Sequence, residues 1–322
     1  MLTNELKKEA TRILEKRGDK ILNLIEMKEN ANSNVFKIET EYDNLLIKIY
    51  PHSKLENRQS SRFKRETCFL EYLNAIKVSN TPKTIYKCEK GKFMIMNWMQ
   101  GDNIRQIDGE TLRAMANFTA ICNTDANILK ASKVKKAKDY WSKPAIIEND
   151  IIKRYKLLTN RPTRSMKESE IKELLKKVSI AERIEEEIKL FRENACKDYW
   201  GPEMVNMILS QSDMSINNIK REGKQFKFYD FEYAGWDDPA KLVSDVLSHP
   251  DHKITKEKEE KWIKELRTQE VFKDNGAEKR IRDSKQLTKI KWLLIMCNIY
   301  SDNRSKTWGI EKIVNYANEI SK

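Results

Sequence analysis

Histidine is nearly absent: only His52, His249 and His252 occur in 322 residues. A Ser-His-Asp hydrolase would have to use one of them, and no GxSxG elbow accompanies them. His249-Pro-Asp-His252 has a ligand-like spacing, but a proline inside it spoils presentation of both rings from one helix, which argues against a metal half-site. Glycine is scarce as well, at nine residues, and neither a GxxxxGK[ST] loop nor a Gly-rich dinucleotide fingerprint is present. The five cysteines are odd in number, scattered and never paired as CxxC, so a reducing cytoplasm is the economical expectation. No apolar run approaches the roughly 18–20 residues of a membrane span. Charged residues interrupt every apolar stretch of the first thirty positions, which read as an amphipathic helix rather than a secretory signal.

What the chain has is charge and core material. Charged residues make up 34% and the net charge is +13, while aromatics at 9% supply ample core and argue against disorder. The length suggests roughly two lobes and needs no disulfide or metal staple.

Apolar spacing near 3.6 predicts a helix over 3–18. Three short β-type runs follow, at 21–25, 35–38 and 45–49, separated by turn-rich segments, as in an antiparallel meander. A helix is expected from about Arg62 to Lys77, then two strands, Thr84–Cys88 and Phe93–Met96. Past Gly101 the periodicity is mostly helical, near 110–125, 145–158, 166–194, 202–209, 256–268 and 285–319. One hairpin interrupts it: Asn218–Arg221, a Glu222-Gly223 turn, and Gln225–Phe231. The expected fold class is α+β, with a small antiparallel-sheet N-lobe over 1–99 and a larger, mainly helical C-lobe over 100–322.

Asp213, Asn218 and Asp230 surround the hairpin. Asp213 falls in a polar turn after an apolar segment taken as helical, Asn218 enters the first strand and Asp230 ends the second. Because a hairpin folds back on itself, three oxygen donors can converge there, as a hard cation such as Mg²⁺ requires. The competing reading is that each is only a turn former.

Ser212-Asp213-x4-Asn218, followed by Asp230-Phe231-Glu232-Tyr233-Ala234-Gly235 and later Asp245, resembles the aminoglycoside phosphotransferase/choline kinase family. The resemblance is most specific over 207–247 and extends more loosely over most of the chain. It implies a protein-kinase-like two-lobed fold and an ATP- and Mg²⁺-dependent transfer of the γ-phosphoryl group to a small-molecule hydroxyl. GTP remains an alternative donor. By the same resemblance Asp213 is the catalytic base, Asn218 and Asp230 hold Mg²⁺, and Asp245 braces the catalytic loop. Lys48 with its partner Glu66 would meet the nucleotide phosphates. Asn32, Ser33 and Asn34 would form the turn covering them, and Asn97, Trp98 and Met99 the interlobe hinge. Strand alternation supports Lys48, since it shares a face with Leu46; the alternative is an outward, solvated lysine. Three departures accompany the resemblance. Gln211 stands where the family usually has histidine, the phosphate turn carries asparagines instead of glycine, and Asn97 replaces a commoner acidic residue.

The acceptor is expected against the helical lobe, with Glu232, Tyr233, Trp236 and Trp292 as candidate contacts. Aromatic rings there suit a cationic amino alcohol. Trp292 also reads as part of a buried C-terminal helix, and Asp237 and Asp238 as the turn before Pro239. Charge favours a neutral or anionic acceptor such as a sugar derivative: Lys130, Lys133, Lys135, Lys136, Lys138 and Lys143 cluster around Asp139. The bland account of that run is a solvated helix face. A rival reading is a kinase-like module without efficient catalysis that binds nucleic acid or an anionic surface through its lysines. The lack of RNP-type aromatic motifs and paired Cys/His weakens it.

Overall fold

The computed structural model describes residues 4–27, 33–51, 62–195, 199–200, 205–302 and 308–320. Asn32 of the phosphate turn lies outside them, as do His52 and Cys196.

The N-terminal part is built on period-2 alternation. Helix α1 (Asn4–Lys16) precedes β1 (Ile21–Met27), β2 (Asn34–Thr40) and β3 (Asn44–Ile49). Helix α2 (Arg62–Ala75) then leads to β4 (Thr84–Cys88) and β5 (Phe93–Asn97). The five strands form one antiparallel sheet in the order β1-β2-β3-β5-β4. One face packs Phe36, Ile38, Leu45, Ile47, Phe93 and Ile95 against Ala10 and Leu14 of α1. The other face therefore presents Leu46, Lys48, Met94 and Met96, and α2 covers it with Phe63, Phe69, Leu70 and Leu73.

From Trp98 to Gly101 the backbone has no helix or strand pairing. Gly101 has φ +122°, and a Cβ there would lie 2.8 Å from the Arg221 carbonyl oxygen, so glycine is required for this approach. Next come β6 (Asp102–Asn103), α3 (Gly109–Cys122), α4 (Asp125–Ile128), α5 (Pro144–Thr159), α6 (Met166–Lys177) and α7 (Ile180–Asn194). They are followed by β7 (Ile208–Ser210), β8 (Ile219–Glu222), β9 (Gln225–Phe228) and β10 (Gly235–Asp237). The chain finishes with α8 (Pro239–Ser248), α9 (Lys256–Thr268), α10 (Ala277–Ser301) and α11 (Ile310–Ile320). Caps explain several starts. Asp108 accepts from Thr111 N at 2.7 Å, Ser165 and Glu168 form a reciprocal capping box, and Asp238 caps α8 just ahead of Pro239.

Four expectations are corrected. The run ending at Leu209 is a buried strand, β7, paired with β10, not a helix. A short apolar run has the same pattern in either state, and Trp236 opposite Leu209 decides between them. The segment 166–194 is two helices, broken where Ser179 adopts φ 48°. Helix α10 starts at Ala277, ahead of the expected 285, and is separate from α11. The lysine run is not a helix face. Its segment 135–138 lies along β10, with Trp236 N donating to Lys135 O and Ala137 N to Trp236 O. Gly235 permits this: a Cβ there would lie 2.3 Å from Lys135 O.

The C-terminal part has a second core in which α10 meets α5, α6 and α7 through Leu287, Ile290, Leu293 and Leu294. The largest core joins both parts of the molecule, carrying Phe69 and Leu73 of α2 together with Phe118, Phe228 and Phe231. No helix among the described residues is long and apolar enough to cross a membrane.

Candidate active site

Alternation on β3 sends Lys48 away from α1 and into the space between the sheet and the helical part, where it is 5% exposed. Its ammonium lies 2.7 Å from Glu66 Oε2, 2.6 Å from Asp230 Oδ1 and 3.3 Å from Glu232 Oε2. Burial alone would lower the Lys48 pKa, but Asp230, Glu66 and Glu232 reverse that and hold it well above the ordinary value. Glu66 is fixed from three sides: Lys48, the Tyr50 hydroxyl at 2.7 Å, and the Phe231 backbone N–H at 3.1 Å. The nearby Glu71 instead pairs with Lys87 at the surface. Oxygens of Glu66, Asp230 and Glu232 all lie within 4.8 Å of one another.

The loop after β7 supplies the second half. Ser212 has φ 65°, and its N–H donates to Ser210 Oγ at 2.8 Å. Asn218 Nδ2 donates to Asp213 O at 2.9 Å, and Tyr229 N donates to Asn218 O at 3.0 Å. Asn218 and Asp230 are thereby brought to the same end of the β8–β9 hairpin. That hairpin turns at Gly223-Lys224 rather than at Glu222-Gly223. Asp230 lies past the end of β9, at φ 65°, a left-handed conformation uncommon outside glycine. Gln211 Nε2 donates to Tyr229 O at 2.7 Å, so the residue replacing the family histidine ties the loop to the neighbour of Asp230. Burial, then the like charges of Asp230, Asp245 and Glu232, raise the Asp213 carboxyl to about 7.

A buried charge network underlies this loop. Lys241 Nζ donates to Ser212 Oγ at 2.8 Å and lies 3.1 Å from both Asp237 and Asp245. Asp245 also receives Lys291 and the Trp292 indole N–H. Burial would raise Asp245, but Lys291 and Lys241 outweigh it and hold the carboxyl at about 2. Asp238, beside Asp237, is held by Arg280 at 2.8 and 2.9 Å.

The remaining candidates are placed as follows. Ser33 Oγ donates to Glu232 Oε2 at 2.9 Å, so the expected acceptor contact Glu232 lies in the lysine nest, while Asn34 is exposed. Tyr233 stands beside it, with the Lys138 ammonium 4.6 Å and the Arg62 guanidinium 5.4 Å from its ring centroid. Trp236 is half-buried on β10. Trp292 is buried, packing edge-on to His249 and Trp308. In the hinge, Asn97 Oδ1 accepts from Lys83 N at 2.6 Å and its amide contacts Met99 Sδ, while Trp98 N donates to Asn44 O. Sequence reasoning missed Tyr50, Arg62 and Lys241. Only Lys241 carried a signal, being spaced four residues from acids on either side.

His249 and His252 stack at 4.3 Å. His252 Nδ1 bonds Val246 O at 2.7 Å and Nε2 accepts the Ile216 N–H at 3.2 Å, so both ring nitrogens serve the backbone.

A small sheet with its lysine–glutamate pair, set over a helical part that carries the loop and hairpin carboxylates, is the α+β protein-kinase-like fold. Solved structures with this fold include an ethanolamine kinase of Plasmodium vivax, at TM-score 0.60 and 15% identity, covering 99% of this chain and 87% of that one. A choline kinase from Streptococcus pneumoniae gives TM-score 0.61 at 14% identity, covering 98% of each chain. Spectinomycin phosphotransferase APH(9)-Ia, in complex with ADP and spectinomycin, gives TM-score 0.62 at 10% identity, covering 97% of this chain and 93% of that one. No family model and no curated protein sequence matches the chain.

Proposed function

We propose that the protein is a small-molecule kinase that moves the γ-phosphoryl group of ATP to an acceptor hydroxyl. The observation carrying this reading is the convergence of Lys48, Glu66 and Asp230, with Asp213 on the adjoining loop. Phosphoryl transfer needs positive charge on the nucleotide phosphates and an aligned acceptor oxygen. Lys48, held in place by Glu66, supplies the charge; Asp213 accepts the hydroxyl proton. Its raised pKa matches that task near neutral pH. Asp230, whose side chain is 34% exposed, and the Asn218 amide are hard oxygen donors suited to Mg²⁺. When bound there, the ion neutralises charge on the β- and γ-phosphates. Ser33 and the backbone beside it cover the phosphates, and the 97–99 segment meets the base. The acceptor is neutral or anionic. Free, scattered cysteines fit a reducing cytoplasm.

The rival reading as a lysine-rich binding module is less well supported, because two lysines of the run make contacts within their own fold. Lys136 reaches the Tyr140 ring and Lys130 the Ala75 carbonyl.

The test is thermal unfolding with ATP and Mg²⁺, alongside turnover. ATP is expected to stabilise the wild type only with Mg²⁺, and Asp230→Ala to abolish that. Asp213→Asn should keep the stabilisation and lose about 10²–10⁴ in turnover. Equal activity in Asp213→Asn removes Asp213 from the mechanism. Salt-dependent RNA retention persisting in Asp230→Ala, without nucleotide stabilisation, favours the rival.

A further inference from the structure

We propose that the acceptor carries an anionic group, a phosphate or a carboxylate, beside the hydroxyl that is phosphorylated, and that Lys138 and Arg62 receive that group across the ring of Tyr233. The inference rests on the kinase reading and adds the substrate class.

Tyr233 follows Glu232 directly and is half-buried, whereas Tyr50, which bonds Glu66 within the carboxylate cluster, is fully buried. An aromatic face in such a cleft is where a cationic head group would be expected to sit. Here Lys138 and Arg62 already hold that ring. Burial and Glu232 raise the pKa of the Tyr233 phenol, Arg62 opposes, and the charges of Asp213 and Asp230 add to the rise.

The placement of Lys138 is built in. Its backbone N–H donates to Tyr233 O at 3.0 Å, and the preceding residues are bonded along β10 over Gly235. Among its neighbours Lys133, Lys135 and Lys136 are exposed, whereas Lys138 is half-buried. The charged groups facing it are Asp139, Arg62, Arg154 and Glu232. Asp139 is engaged by Arg154 at 3.0 Å, and Glu232 is shared between Lys48 at 3.3 Å and Arg62 at 3.6 Å. Among the described residues no carboxylate lies within ion-pair distance of the Lys138 ammonium, and burial lowers its pKa. A desolvated cation of this kind is stabilised by an incoming anion and penalises an incoming cation.

The test is transfer of radiolabelled γ-phosphate from ATP with Mg²⁺ to four separate pools: sugar and glycerol phosphates, hydroxycarboxylates, neutral sugars, and amino alcohols with aminoglycosides. Label is expected in one of the first two pools, and which one takes it identifies the anion as phosphate or carboxylate. With an acceptor from that pool, Lys138→Gln should raise the acceptor KM at least tenfold while the ATP KM stays within twofold. Lys138→Arg should restore it, which separates lost charge from lost folding. Label confined to the neutral or cationic pools overturns the inference and leaves the kinase reading standing. So does an unchanged acceptor KM in Lys138→Gln. No label in any pool overturns it as well; if ATP with Mg²⁺ also fails to stabilise the protein, the kinase reading falls with it.

Discussion

Lys48 has one ammonium and three carboxylates around it, and this surplus of acid makes its removal costly. Breaking a buried pair by deleting one partner leaves the other charge uncompensated. Lys48→Met is therefore expected to destabilise the fold by about 3 kcal/mol and to weaken ATP binding at least tenfold. Chemical denaturation and calorimetry check the two effects, and Lys48→Met/Glu66→Gln should recover part of the stability. Asp213 behaves oppositely. Its carboxyl is raised to about 7, so the folded state holds the proton more tightly than the unfolded chain. Its contribution to stability is complete below about 4 and is lost as pH rises through about 7. Asp213→Asn should gain ~1–2 kcal/mol at pH 8 and little at pH 4 relative to wild type, measured by unfolding at both pH values. The positions of Asp213, Asn218 and Asp230 beside the hairpin were legible from their spacing, and the inward face of Lys48 from strand alternation. Tyr50 and Arg62 were not, because a long side chain finds its partner only once distant elements have docked.

At the scale of elements, strands β1 to β5 and helices α2, α3, α5 and α9 could be read from period and turn residues. Helix α8 was not singled out, although its Lys241, Ser244, Asp245 and Ser248 recur at helical spacing; that polar stripe is buried in the charge network rather than solvated. Its importance is mechanical, since the turn after it carries His249-Pro-Asp-His252 beneath the loop that leads from β7 to Asn218. His252 accepts the Ile216 N–H, and Asp251 Oδ2 accepts from Asn217 Nδ2 at 2.9 Å. Two consecutive residues of one turn thus hold two consecutive residues leading into Asn218. His252→Phe keeps the ring and removes the acceptor; kcat should fall about tenfold, as for one lost buried hydrogen bond, with the ATP KM unchanged. Burial holds the His252 pKa down at about 4, against pulls from Val246 O and Asp251. Its contribution to stability is therefore present above about 6.5 and drains as pH falls toward 4. Thermal unfolding across that window should show a flatter acid slope in His252→Phe.

Across the whole molecule, the change of period near Gly101 leads to the expectation of a sheet-bearing part followed by a mainly helical one. What the sequence did not disclose is how tightly the two meet. Phe231 stacks on Phe69 at 5.3 Å, and Phe118 on Phe228 at 4.3 Å, within one core that runs through both. The connection at Gly101 is correspondingly exacting. Gly101→Ala combines an unfavourable backbone angle with a Cβ 2.8 Å from Arg221 O, and is expected to cost about 1–3 kcal/mol. Denaturant titration measures this, and an unchanged midpoint would show that the backbone there yields.

The bond from Ser33 to Glu232 spans 199 positions of chain and fastens the rim of the sheet to the floor opposite. A visitor to this cleft does not enter a gaping space; it must first undo a clasp. Ser33→Ala therefore ought to quicken both arrival and departure of nucleotide, making the site leakier without making it weaker.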